Sequence, residues 1–150
     1  MNILLFGENG QVAWACLQEA NNRNVSLKAL SRKDVDFADP AEVEKAVIAN
    51  APDIVVNAVA YTAVDKAEEE QALATRVNTE SVHHIAKACK QLDIPLIHLS
   101  TDYVFDGGAS TPYTESSEVS PMGVYGVSKY AGEEAIRSTF NKHFILRTSW

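Results

Sequence analysis

Cysteine is scarce in this 150-residue sequence: Cys16 and Cys89 stand far apart and outside any C-x-x-C spacing. That leaves no basis for a disulfide scaffold or a zinc cluster, and predicts two buried thiols in a reducing cytoplasm. Basic charge is also in deficit, with 13 Lys and Arg against 20 Asp and Glu and a net charge of -7. Such a chain carries no electrostatic footprint for nucleic acid or for an anionic membrane. Its apolar runs fall far short of a membrane span. The opening Met1-Asn2-Ile3-Leu4-Leu5-Phe6 reaches Gly7 without a basic flank, so no secretory leader is expected. Repeats, low-complexity tracts and linkers are lacking too, and Glu68-Glu69-Glu70 reads as a solvated helix face. What remains, at 46% hydrophobic and 22% charged residues, is the composition of one compact domain with a substantial core.

The chain alternates between two periodicities. Strands are predicted at Ile3–Phe6, Val25–Leu30, Ile54–Val59, Pro95–Leu99 and Phe144–Arg147. Helices are predicted over Gln11–Ala20, over Pro40–Asn50 beginning near Asp39, and over Val124–Phe140. Tyr61–Glu70 has short helical character, and Ala72–Leu92 carries Val77, Val82, Ile85, Ala86 and Cys89 at the spacing of one long amphipathic helix. Asp106–Gly123, rich in Gly, Ser, Thr and Pro, reads as a loop. Strands alternating with helices predict a doubly wound α/β domain, its parallel sheet covered on both faces. The chain stops at Arg147-Thr148-Ser149-Trp150 directly after a strand, so an enzyme built on it is expected to need more chain.

Phe6-Gly7-Glu8-Asn9-Gly10-Gln11-Val12-Ala13 joins the first strand to the first helix. Glycines there allow a strained turn and close approach to a pyrophosphate, which the helix N-terminus would meet with free N–H groups. Gly10, Gln11 and Val12 are the candidate diphosphate contacts, with Gly7 in the same cofactor turn; a merely tight βα turn at Gly7 and Gly10 is the alternative. The second strand ends in Ser31-Arg32-Lys33 rather than in the acidic residue that suits a ribose 2'-hydroxyl. A guanidinium suits a 2'-phosphate, so Ser31 and Arg32 tilt the choice from NADH toward NADPH, unless Arg32 is an ordinary exposed loop residue. Asp36 and Phe37 could bracket an adenine, or simply form a local turn.

Tyr125 and Lys129 lie four residues apart and so share a helix face. An ammonium near a phenol lowers its pKa and lets it exchange a proton near neutral pH, as reduction of a carbonyl requires. Thr101 follows the fourth strand, at the carboxyl end where open α/β sheets bind ligands, and could hydrogen-bond the same substrate oxygen. Ala60, Tyr61 and Thr62, after the third strand, would let a cofactor pass close to the backbone.

Taken together, Gly7-x-x-Gly10-Gln11, Asn57-Ala58-x-Ala60-Tyr61-Thr62-x-Val64-Asp65-x-Ala67-Glu68, Ser100-Thr101-Asp102-Tyr103-Val104-Phe105-x-Gly107, Tyr125-Gly126-x-x-Lys129 and Arg147-Thr148-Ser149-Trp150 resemble the dTDP-4-dehydrorhamnose reductases. These belong to the extended short-chain dehydrogenase/reductase superfamily. The resemblance covers the whole chain and implies NAD(P)H-dependent reduction of the 4-keto group of a dTDP-sugar, for surface polysaccharide synthesis in the cytoplasm. It implies Thr101, Tyr125 and Lys129 as catalytic residues. It implies Gly10, Gln11, Val12, Asp36, Phe37, Ala60, Tyr61 and Thr62 at the cofactor, to which the reading of the residues adds Gly7, Ser31, Arg32, Leu99, Tyr125 and Lys129; it implies Asp102 and Trp150 at the substrate, to which that reading adds Thr101. Residues 1–150 would then be a Rossmann-type NAD(P)-binding domain without the C-terminal substrate domain, in a possible homodimer. Ala13 replaces the usual third glycine, and Ala15 stands where some relatives place a metal-binding glutamate at their dimer interface, so no metal is expected. Two other readings are a non-catalytic NADP-binding regulatory subunit, resembling that of methionine adenosyltransferase, and a nucleotide-sugar epimerase or dehydratase. The retained Thr101, Tyr125 and Lys129 argue against the regulatory subunit; Tyr103-Val104-Phe105 argues against the dehydratase.

Overall fold

A computed structural model describes residues 1–149. Its elements run β1 (Asn2–Phe6), α1 (Gln11–Asn22), β2 (Ser26–Leu30), α2 (Pro40–Asn50), β3 (Ile54–Asn57), α3 (Val64–Ala67) and α4 (Gln71–Thr75). They continue through a π-helical turn (Arg76–Glu80), α5 (Ser81–Leu92), β4 (Leu96–Thr101), a 3-10 turn (Asp102–Val104), α6 (Val124–Thr139) and β5 (His143–Thr148). The five strands form one parallel sheet in the order β2-β1-β3-β4-β5. Among the described residues, no helix is long and apolar enough to cross a membrane.

The helix boundaries follow from local chemistry. Asp39 caps α2 by accepting from the amides of Ala41 and Glu42, and Pro40 occupies the first turn, where no amide proton is needed. Ala51, in the left-handed region, closes the same helix. β3 ends at Asn57, two residues earlier than the apolar run, because the Asn57 side chain captures the Val59 amide and turns the chain out of the sheet. β4 begins one residue late and runs on through Thr101, which brings Ser100 and Thr101 onto the strand itself.

Right-handed crossovers put α2, α5 and α6 on one face of the sheet and α1 on the other. Against the three-helix face pack Leu4, Phe6, Val55 and Leu96 from the strands, with Val43, Val47, Val82, Ile85, Ala86, Cys89 and Ile136 from the helices. The cover predicted for both faces is complete on this one only, since β5 leaves Phe144 and Leu146 exposed. Of the two thiols, Cys89 is buried, its pKa pushed up to about 12 by burial, whereas Cys16 is only half-buried.

The long helix predicted over Ala72–Leu92 is broken by the π-turn at Arg76–Glu80. Its apolar stripe continues through the wider coil, so periodicity alone did not reveal it. The turn carries a wholly buried Asn78 beside Val77 on the inward side. π-turns of this kind often mark functional sites.

Candidate functional site

The strand order reverses direction between β1 and β3, and α1 lies on the opposite face from the helices that follow, which opens a crevice at the carboxyl ends of these strands. Gly7, at φ +113°, makes the turn out of β1, a conformation that side chains rarely adopt. Gly10 precedes α1; a Cβ placed on it would meet nothing within 4 Å, and no side chain caps the helix. The first amides of α1, at Gln11 and Val12, thus face open space with the positive end of the helix dipole behind them and no acidic residue in the first turn.

Beside this turn, a cavity of about 380 Å³ brings together Arg32, Asp36, Tyr61, Thr62, Lys66 and Glu70. Arg32 is exposed and makes no ion pair among the described residues. Tyr61 donates its hydroxyl to Glu70 at 2.7 Å, and Lys66 pairs with Glu70 at 2.9 Å. The Glu70 bond, with burial adding, raises the Tyr61 hydroxyl to about 12.

Two of the predicted cofactor residues have their side chains engaged within the protein. The Phe37 side chain is buried in the core, edge-on to Phe6 at 5.1 Å, because the chain around it folds inward over α2 and α5. Its carbonyl accepts from Ser81 Oγ at 2.8 Å, and with its ring packed in the core the residue still borders the same cavity. Ser31 is buried and tied to Asp34 through its amide and hydroxyl, which makes it a structural turn residue.

The second cluster is made of buried side chains. Thr101 ends β4 and Tyr125 and Lys129 line the inner face of α6; Thr101 and Lys129 are each 2% exposed and Tyr125 8%. The Tyr125 ring meets Tyr103 edge-on at 5.5 Å. Thr101 Oγ1 donates to Asp102 at 3.2 Å and accepts from the Tyr103 amide at 3.2 Å. Burial raises the Tyr125 pKa, while its hydrogen bond with Thr101 pulls it down by less. The expectation that Lys129 lowers it is not met. Lys129 Nζ turns away to the Leu99 carbonyl at 2.7 Å and His98 Nε2 at 3.4 Å, and burial brings its own pKa down to about 8. Leu99, predicted at the cofactor, therefore offers its carbonyl to Lys129.

Asn78 and Glu133, which the sequence reading passed over, hold this cluster together. Asn78 accepts from the Tyr61 amide at 2.8 Å, donates back to the Tyr61 carbonyl at 3.2 Å and donates to Ser128 Oγ at 3.0 Å. Ser128 Oγ in turn donates to the Tyr125 carbonyl, so the loop after β3 is tied to the first turn of α6. Glu133 is wholly buried and accepts from Ser100 Oγ, from Arg147 at 2.6 and 2.9 Å and from Arg137 at 3.0 Å. Burial pushes its carboxyl up, but the bonds from Arg147 and Ser100 and the two guanidinium charges outweigh this and hold it below its ordinary value. Its signal was in the spacing: Tyr125, Lys129 and Glu133 recur every four residues, one continuous stripe of α6.

Beyond Thr101, a cavity of about 540 Å³ is lined by Asp102, Phe105, Tyr113, Arg147, Thr148 and Ser149. The predicted substrate residue Asp102 is thus at its wall; Trp150 lies outside the described residues. Among those residues no group of three or more His, Cys, Asp or Glu is gathered as a metal ion would require.

Comparison with known proteins shows the family. The dTDP-4-dehydrorhamnose reductase of Escherichia coli K12 is 46% identical over 154 residues, covering all of this chain and 51% of the relative. A solved structure of the Clostridium acetobutylicum enzyme of that name superposes with a TM-score of 0.95 at 36% identity, over all of this chain and 54% of that one. The Bacillus anthracis enzyme, solved in complex with NADP, superposes at 0.93 with 35% identity and the same coverage. The chain spans about half the length of the curated relatives it matches. A family model described as the RmlD substrate binding domain matches residues 1–150, and the chain belongs to that family.

Proposed function

We propose that residues 1–150 are the nucleotide-binding half of an NAD(P)H-dependent reductase of dTDP-4-dehydro-L-rhamnose, giving dTDP-L-rhamnose. The observation that carries this reading is the gathering of Thr101, Tyr125 and Lys129 at the carboxyl end of β4, on the same sheet edge as the Gly7–Gly10 turn. Relatives at 46% and 45% identity that bear the reductase name support it.

The residues present fit a dinucleotide. The open space over Gly10 and the uncapped amides of Gln11 and Val12 suit a diphosphate. The cavity with Arg32, Asp36, Phe37, Tyr61 and Thr62 suits the adenosine end, and Ala60 precedes Tyr61 on the same loop. Arg32 favours a 2'-phosphate and hence NADPH over NADH. When bound, the nicotinamide supplies a hydride to the carbonyl carbon. Tyr125, protonated at neutral pH by its raised pKa, gives its hydroxyl proton to the oxygen that becomes the alcohol. Thr101 hydrogen-bonds the same oxygen, and Lys129 holds the ribose hydroxyls on the nicotinamide side. Asp102, on the wall of the larger cavity, meets the sugar; Trp150 is assigned to the sugar nucleotide by the family resemblance alone. Dependence on a reduced nicotinamide argues for action in the cytoplasm.

Titration of the 150-residue chain with NADPH and NADH, followed by nicotinamide fluorescence, tests the reading. Saturable binding that is lost in Gly10→Asp, whose carboxylate would face the diphosphate, is expected. No binding to either nucleotide by a folded chain would overturn the assignment of residues 1–150 as an autonomous cofactor domain.

A further inference from the structure

His98 is wholly buried on β4 directly opposite Asn57 of β3 in the sheet register, and neither belongs to the catalytic set above. Asn57 Oδ1 accepts the Val59 amide at 3.1 Å, and a backbone N–H can be met only by the oxygen of the side-chain amide. Its NH2 group must then face His98 Nδ1, 3.1 Å away. A ring nitrogen facing an N–H donor serves as acceptor, so the proton of the neutral imidazole sits on Nε2. Nε2 faces Lys129 Nζ at 3.4 Å. An ammonium has no lone pair and would set N–H against N–H, whereas a neutral amine accepts from His98 and still donates to the Leu99 carbonyl.

We propose that Asn57 and His98 are positioning residues for Lys129, presenting an imidazole N–H to Nζ and so favouring the neutral amine over the ammonium. Desolvation keeps His98 itself uncharged, with the Lys129 charge acting in the same direction. Burial lowers the Lys129 pKa, and the His98 N–H adds to that effect. Opposing both is Glu133, one helical turn on, whose charge is largely met by Arg147 and Arg137. From the π-turn packed on α6 the neutral Asn78 and Thr79 engage Ser128, while its two charged residues, Arg76 and Glu80, are exposed and pair with each other at 3.9 Å. The significance of Lys129 for cofactor binding rests on the reductase reading; its protonation in the chain without nucleotide does not.

NMR of the isotope-labelled chain without nucleotide decides the matter. The ring nitrogens of His98 should report the neutral form with its proton on Nε2 across the stability range. The Lys129 Cε resonance should titrate at or below about 8. In His98→Gln, whose amide oxygen can accept from an ammonium, it should titrate higher by about one pH unit or more. A proton found on Nδ1 in the unmodified chain would overturn the proposal, even if the variant did not fold. An unchanged Lys129 titration in a folded His98→Gln chain would overturn it equally. Because neither readout involves a nucleotide, failure here leaves the reductase reading untouched, and failure of nucleotide binding leaves this proposal intact.

Discussion

The two sides of the crevice are built on different principles. At the ends of β1 and β2 the candidate nucleotide site is made of backbone and space: a turn at Gly7, an open approach over Gly10, uncapped amides and an exposed Arg32. At the end of β4 and along α6 it is made of buried side chains, each already engaged with a protein partner: Thr101, Lys129 and Glu133, with Asn78 of the π-turn packed beside them. The first side can receive a long anionic molecule with little rearrangement. The second fixes a few atoms where a proton must move, and fixing them requires burial and hydrogen bonds. Substitutions on α6 should therefore disturb stability, and substitutions around Arg32 should disturb affinity alone.

The largest effect is expected from Glu133→Ala, which removes a buried carboxylate from two guanidiniums and should destabilise the chain by about 3–5 kcal/mol in denaturant unfolding. The pH dependence has a definite sign. Because the folded pKa of Glu133 is lowered, its contribution is fully present above the ordinary glutamate range and is lost as pH falls through the folded value. Glu133→Gln should lack that part of the acid sensitivity, and an unaltered acid limb would break the comparison.

Next in size is Gly132→Ala. A methyl group at that position would sit 2.2 Å from the Asn78 carbonyl oxygen, a backbone atom with no easy retreat. Overpacking of this kind costs about 1–3 kcal/mol, more than the helix propensity gained, and unfolding curves should show a net loss. Asn78→Ala should cost about the same by leaving the Tyr61 amide and Ser128 without their partner, and should also weaken nucleotide binding by loosening the loop after β3. A destabilised Asn78→Ala chain with unchanged NADPH affinity would separate the two sides more sharply than the structure suggests.

Arg32→Ala should be the mildest for the fold, within about 0.5 kcal/mol, since the side chain is exposed. NADPH affinity should fall by about tenfold and NADH affinity stay within about twofold, consistent with loss of charge-assisted bonds to a 2'-phosphate. Equal losses for both nucleotides would instead make Arg32 a general contact.

Legibility in the sequence divides along the same line. The strands, the turn at Gly7 and Gly10 and the cap at Asp39 were readable because they depend on periodicity and on residues with special backbone behaviour. Tyr125 and Lys129 were readable as neighbours, but not the direction of the ammonium, which is set by the Leu99 carbonyl and by His98 from another element. For Phe37 the sequence left ring and backbone open, because an aromatic residue beside a polar turn serves a core as well as a ligand, and the packing on Phe6 commits the ring to the core. The π-turn left the apolar stripe intact and was invisible to it. Glu133 was passed over, although its place four residues after Lys129 puts it on the buried stripe.

The most direct test of the whole account is an amide NMR titration of the labelled 150-residue chain with NADP+. The account predicts shifts concentrated at Gly7–Val12, Ser31–Phe37, Ala60–Thr62, Leu99–Thr101 and Tyr125–Lys129, with the amides of His83 and His84 on α5 unmoved. Shifts confined to the cavity of Phe105, Tyr113 and Arg147, or their absence from a folded chain at saturating nucleotide, would contradict it.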